Sequence, residues 1–131
     1  MARSLPTTTL DIELKGRRIL VLEDEWFIAD EISGALDRHH ATVVGPAGDI
    51  DAARALVERE QPDCAILDIN LRGEMVFAFA DELEARGVSF VFATGYDAPV
   101  VPPRFADVPR FEKPLRIDEL LKAVAAACGR S

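Results

Sequence analysis

Basic residues are scarce in this chain: 15 Lys and Arg stand against 23 Asp and Glu, giving a net charge of −8 over 131 residues. A surface this acidic repels a phosphate backbone, so nucleic acid is not expected as a direct partner. Long apolar runs are missing too. None approaches the roughly 20 residues needed to cross a bilayer, and the polar stretch from Met1 to Thr9 lacks the apolar centre of a signal peptide. Cysteine is limited to Cys64 and Cys128, both in apolar settings. They read as core thiols of a reducing compartment and not as a disulfide frame, which makes the cytoplasm the expected location. Repeats and low-complexity blocks are also lacking. What the chain does have is apolar material, 49% of its residues, enough for the core of a single domain.

That material is distributed in alternating short runs and helical stripes. Residues 1–16 read as a tail or arm. Within it Leu10, Ile12 and Leu14 alternate with Asp11, Glu13 and Lys15, which predicts an edge strand or a partner contact. Arg17–Leu22 is the first full strand, and Ile28, Ile32, Ala35 and Leu36 then mark one face of a helix. Ala41–Gly45 predicts the second strand, with Pro46-Ala47-Gly48 as its loop and Asp49 as N-cap of a helix bearing Ile50, Ala53 and Val57. The central strand is Cys64–Asp68, apolar up to a final carboxylate. A third helix carries Val76, Phe79, Ala80 and Leu83 and closes at Gly87. Val88–Ala93 and Val108–Glu112 supply two more strands, and a last helix starts at about Ile117. Between those two strands Pro99, Pro102 and Pro103 interrupt the expected helix, so an irregular or short segment is predicted there. Five strand–helix alternations imply an α/β fold, a parallel sheet covered on both faces.

In such a sheet, ligand sites form at the carboxyl ends of the strands. There the sequence places Glu23 and Asp24, then Asp68, then Thr94-Gly95, then Lys113. Three neighbouring carboxylates repel unless a cation joins them. Hard oxygen donors suit Mg²⁺, which keeps several waters and favours phosphoryl chemistry. A carboxylate can itself be the phosphoryl acceptor. Lys113 would then supply charge, Thr94 a hydroxyl, and Gly95 the room for a phosphoryl group to enter.

Four stretches carry a resemblance: Ile19-Leu20-Val21-Leu22-Glu23-Asp24-Glu25, Leu67-Asp68-Ile69-Asn70, Ala93-Thr94-Gly95 and Lys113-Pro114. In that order, at those strand ends, they resemble the receiver domain of response regulators in two-component signalling, over residues 17–129. The resemblance implies a flavodoxin-like, doubly wound sheet of strand order 2-1-3-4-5 and a cis Lys113–Pro114 bond. It also implies Asp68 as phosphoacceptor, with a Mg²⁺ ion on Glu23, Asp24, Asp68 and the Asn70 carbonyl. Thr94, Gly95 and Lys113 would contact the phosphoryl group. Two positions depart from the pattern. Arg110 stands where an aromatic is typical, with Phe111 displaced by one and therefore on the opposite strand face. Arg72-Gly73 stands where a proline is common. With Phe92-Ala93-Thr94-Gly95-Tyr96, these features resemble a subgroup found mainly in alphaproteobacteria and paired with HWE or related histidine kinases.

Tyr96 and Phe111 are the candidates for a substitute switch aromatic, Tyr96 reading equally well as a loop residue. Trp26 reads as helix packing or as an edge of the site, and His39 and His40 as exposed helix-end residues. The expected function is a stand-alone, phosphorylatable receiver, no enzyme beyond its own phosphorylation and dephosphorylation. On that expectation no residues are left over for an output domain, and signalling would pass through an unknown target protein or a second copy of the chain. The rivals are a phosphate sink, a degenerate receiver acting as a binding module, and a small Mg²⁺-dependent aspartyl phosphatase.

Overall fold

The computed structural model describes residues 8–95 and 100–129. Its sheet has five parallel strands: β1 (Arg18–Leu22), β2 (Thr42–Ala47), β3 (Cys64–Asp68), β6 (Ser89–Thr94) and β7 (Arg110–Glu112). Their order across the sheet is β2-β1-β3-β6-β7, the expected flavodoxin-like arrangement. The two numbers missing from that series belong to a small antiparallel pair, β4 (Asn70–Leu71) and β5 (Glu74–Met75), which the sequence reading missed.

Side chains of successive strand residues point to opposite faces, and the core divides accordingly. On one face Ile19, Val21, Cys64, Ile66 and Val91 pack with α2 (Trp26–Arg38) and α5 (Ile117–Cys128). On the other, Leu20, Leu22, Ala65, Leu67, Phe90 and Phe92 pack with α3 (Ile50–Glu60) and α4 (Phe77–Ala85). All five residues of β3 are buried, as its apolar run required. Asp49 caps α3 by accepting a hydrogen bond from the Ala52 N–H at 2.8 Å.

Among the described residues of the segment where a helix would complete the second face, the prolines leave one short 3₁₀ turn, Pro103–Phe105. Phe105 fastens it. Its ring is buried and meets Phe77, Phe90 and Phe92 at centroid distances of 5.7–5.9 Å. Arg104 makes a bidentate pair with Asp81 of α4 at 2.9 and 3.0 Å.

Three expectations are corrected. The alternation at Leu10–Leu14 gives a helix, α1 (Thr9–Leu14), and no edge strand. Thr8 and Asp11 form a capping box, and Leu10 and Leu14, four apart, share a face against the α2/α5 cluster while Ile12 stays exposed. Second, β2 continues through Pro46 to Ala47, where a loop was expected. As an edge strand it loses no ladder bond to the missing proline N–H, and the Glu23 N–H donates to the Ala47 carbonyl at 2.9 Å. Gly45 there sits at φ +99°, where a Cβ would come within 2.7 Å of the Ala47 nitrogen. Third, Cys64 and Cys128 are joined as a disulfide. Cys64 of β3 faces α5, which carries Cys128, with Cα atoms 5.6 Å apart, within bridging range. The cysteines therefore no longer argue for a reducing compartment. Among the described residues no helix is long and apolar enough to cross a membrane.

Candidate functional site

Each functional side chain is delivered by the carboxyl end of a strand, and strand pairing sets them side by side. Leu22 pairs with Leu67, Asp68 with Ala93, and Thr94 with Glu112. Glu23 and Asp24 therefore emerge beside Asp68, and Lys113 emerges beside Thr94. The Lys113 N–H donates to the Thr94 carbonyl at 2.8 Å, tying the last two together, and the Lys113–Pro114 peptide is cis.

Lys113 holds the centre. Its Nζ lies 2.8 Å from Glu23 Oε1, 3.1 Å from Asp68 Oδ2 and 3.7 Å from Glu25 Oε1. One carboxylate oxygen from each of Glu23, Asp24 and Asp68 lies within 4.8 Å of the other two. The Glu23 side chain is 2% exposed and that of Asp68 5%. Three carboxylates thus face one ammonium in a mostly dry setting. Burial pushes the Glu23 carboxyl up to about 7, the Asp68 charge adding to the rise while Lys113 and the Glu25 N–H offset part of it. Burial also raises Asp68, against the pull of Lys113. For Lys113, burial favours the neutral amine, but Glu23 and Asp68 outweigh it and lift the ammonium above its ordinary range.

The donor set fits a hard divalent cation. It consists of oxygens only, and Glu23 Oε1 is buried and close to Lys113 yet makes no aligned hydrogen bond. Glu23, Asp24 and Asp68 are the residues that could hold such an ion. Asn70 lies at the rim. Its N–H donates to Asp68 Oδ1 at 3.2 Å, and its side-chain oxygen accepts from the Gly73 N–H at 2.7 Å.

Thr94 is buried, with its hydroxyl 3.3 Å from the Gly95 carbonyl. Beyond it opens a groove of about 820 Å³ lined by Thr94, Gly95, Val101, Phe105, Arg110 and Lys113, among others. The structure therefore brings together Glu23, Asp24, Asp68, Asn70, Thr94, Gly95 and Lys113. Phe111 is not with them: it packs in the α2/α5 cluster, on the sheet face opposite the groove. Tyr96 lies outside the described residues. Trp26, expected as helix packing or an edge of the site, is 70% exposed and meets the Phe27 ring edge-on just after the acids.

Two further participants escaped the sequence reading. Glu25 reaches Lys113, a role its place in an acidic triplet hinted at. Arg72 Nε stands 3.7 Å from Asp24 Oδ2, a contact no local pattern foretells.

No family model matches the chain. It is similar to SdrG from Sphingomonas melonis Fr1, 42% identical, with 86% of this chain and 96% of that one covered at a TM-score of 0.76. The BeF3-activated conformation of SdrG from Pseudomonas melonis Fr1 is 40% identical, 83% and 93% covered, TM-score 0.69. The response regulator PhyR from Brucella abortus is 26% identical over 92% of this chain and 51% of its own, TM-score 0.73. The transcriptional regulatory protein PdtaR of Mycobacterium tuberculosis is 30% identical over 129 residues, 95% of this chain. The chain spans 62% of that relative's length.

Proposed function

The chain belongs to the receiver domains of response regulators, and from that premise we propose that Asp68 accepts a phosphoryl group from a histidine kinase and thereby changes the β6–β7 groove. The observation that carries this reading is the Asp68–Lys113 contact at 3.1 Å inside a ring of two further carboxylates.

An Asp68 oxygen attacks phosphorus of a phosphohistidine. The P–O bond forms as the P–N bond breaks, and the electron pair returns to the imidazole. Lys113, already 3.1 Å from Asp68, remains beside the new acyl phosphate and offsets its charge. Glu23, Asp24 and Asp68 would hold a divalent cation, Mg²⁺ by its abundance, which would supply further positive charge at the transferring group. The Thr94 hydroxyl turns from the Gly95 carbonyl to donate to a phosphoryl oxygen. Since Thr94 lines the groove, that turn alters the surface between Val100 and Arg110. Output then passes to a partner protein. A kinase of the HWE type and a second copy of the chain remain candidates carried from the sequence resemblance. The phosphatase rival needs an acid two residues after Asp68, whereas Asn70 there is committed to Gly73.

Intact mass after incubation with Mg²⁺ and acetyl phosphate tests the reading. One phosphoryl group is expected on the wild type and none on Asp68→Asn. No adduct on the wild type, where a control receiver is labelled, would sink the switch mechanism and put the binding-module reading in front. Steady release of inorganic phosphate from phosphomonoesters would favour the phosphatase.

A further inference from the structure

The β4–β5 hairpin turns through Arg72 and Gly73, both at positive φ (54° and 93°), the two-residue turn that twists with its strands. The Asn70 side chain braces it by accepting from the Gly73 N–H. This small, rigid device sits two residues past Asp68 and has one visible product: it holds the Arg72 guanidinium at the mouth of the acidic site. Arg72 Nε lies 3.7 Å from Asp24 Oδ2, Arg72 being 83% exposed and Asp24 13% exposed. Lys113, the other cation at the site, faces Glu23, Asp68 and Glu25, so Asp24 is the carboxylate left to Arg72.

Given the receiver reading above, on which this inference rests, we propose that Arg72 serves as the counter-ion of Asp24 until a divalent cation displaces it, and then engages the anionic phosphodonor. Physical chemistry favours both halves. A long ion pair whose cation is exposed to solvent is weak and easily exchanged. A divalent ion on Asp24 repels the guanidinium, which stays tethered at the rim by its turn. Planar, forked and permanently charged, it matches phosphoryl oxygens there. The exchange keeps Asp24 neutralised at every stage and brings a cation to the donor only once the metal is in place.

The test uses the whole chain with Arg72→Asn, which tolerates positive φ and removes the charge, and Arg72→Lys, which keeps it. Mg²⁺ affinity is read from the fluorescence of Trp26, the chain's only tryptophan, two residues from Asp24. Arg72→Asn is expected to bind Mg²⁺ about threefold more tightly at low salt, the gain fading as salt rises. Arg72→Lys stays near wild type. At saturating Mg²⁺, half-saturation for acetyl phosphate rises in Arg72→Asn while the maximal rate of Asp68 phosphorylation holds. Equal Mg²⁺ affinity in Arg72→Asn and wild type would overturn the exchange, as would Arg72→Lys behaving like Arg72→Asn. Unchanged half-saturation would overturn the donor contact. A wild type that gains no phosphoryl group at all sinks the receiver reading instead, and the titration still decides the counter-ion exchange.

Discussion

Replacing Glu23 with Gln should make the metal-free protein more stable at alkaline pH, although it deletes half of an ion pair. Glu23 is almost wholly buried, and its carboxyl is carried from 4.5 to about 7, mainly by that burial. A raised acid means the folded protein keeps a proton that the unfolded chain has already shed. Between those two values the native state binds more protons, so stability falls as pH rises. The contribution is fully present below about pH 4.5 and lost once pH passes about 7. Over that span of about 2.5 pH units, at about 1.4 kcal/mol each, the loss is roughly 3 kcal/mol. Asp68 is raised by burial as well and is in contact with the same lysine, so part of the loss belongs to the pair. Gln cannot ionise and keeps the shape. Urea unfolding followed by circular dichroism, without divalent ions, from pH 5.5 to 8, gives the assay. Wild type should weaken across the window, Glu23→Gln should change less, and the variant should be the more stable at pH 8. Taking the difference cancels every group common to both proteins. Added Mg²⁺ should then restore the wild type more than the variant. Parallel pH profiles for the two proteins would refute the reasoning.

Three further outcomes follow from the packing. Lys113→Met leaves Glu23 and Asp68 without their shared cation; urea unfolding at pH 8 without Mg²⁺ should show a loss of about 3 kcal/mol, and phosphorylation from acetyl phosphate should slow. Leu14→Ala should cost about 2–4 kcal/mol in the same assay, because Leu14 is fully buried in the α2/α5 cluster; a cost under about 0.5 kcal/mol would mean that α1 contributes little. Arg104→Gln removes a half-exposed pair with Asp81, so global stability should fall by less than about 1 kcal/mol. Amide exchange at Phe105 and Val108 should nevertheless quicken, since that pair and the Phe105 ring fasten the 3₁₀ turn.

β1, β3 and β6 could be read in advance because each is a buried apolar run that ends at an acid or a hydroxyl. Cys64–Asp68 shows this best. The same rule failed at Leu10–Leu14, where three apolar residues at alternate positions fit a strand and, read as i and i+4, also fit a helix. Thr8 and Asp11 were the discriminating signal, a cap and not a strand edge. The β4–β5 hairpin has too few residues for any period, and its turn is carried by Arg72 at positive φ, a conformation Arg seldom signals. The Cys64–Cys128 pairing depends on α5 crossing β3, which arises only once the sheet is assembled. The converging carboxylates were legible because strand ends in such a sheet meet by topology. Arg72 at Asp24 was not, since a hairpin had to aim it.

The sheet's two borders have a consequence for assembly. Its first border strand carries Pro46 behind a glycine that admits no side chain, so that margin lacks a hydrogen-bond donor and is kinked. The opposite border, Arg110–Glu112, offers only three residues of backbone. Both margins are therefore poor templates for another strand, which works against edge-to-edge stacking. Such blunted borders favour association through side chains on helices and loops, where charge and shape can be tuned and, unlike a backbone ladder, undone.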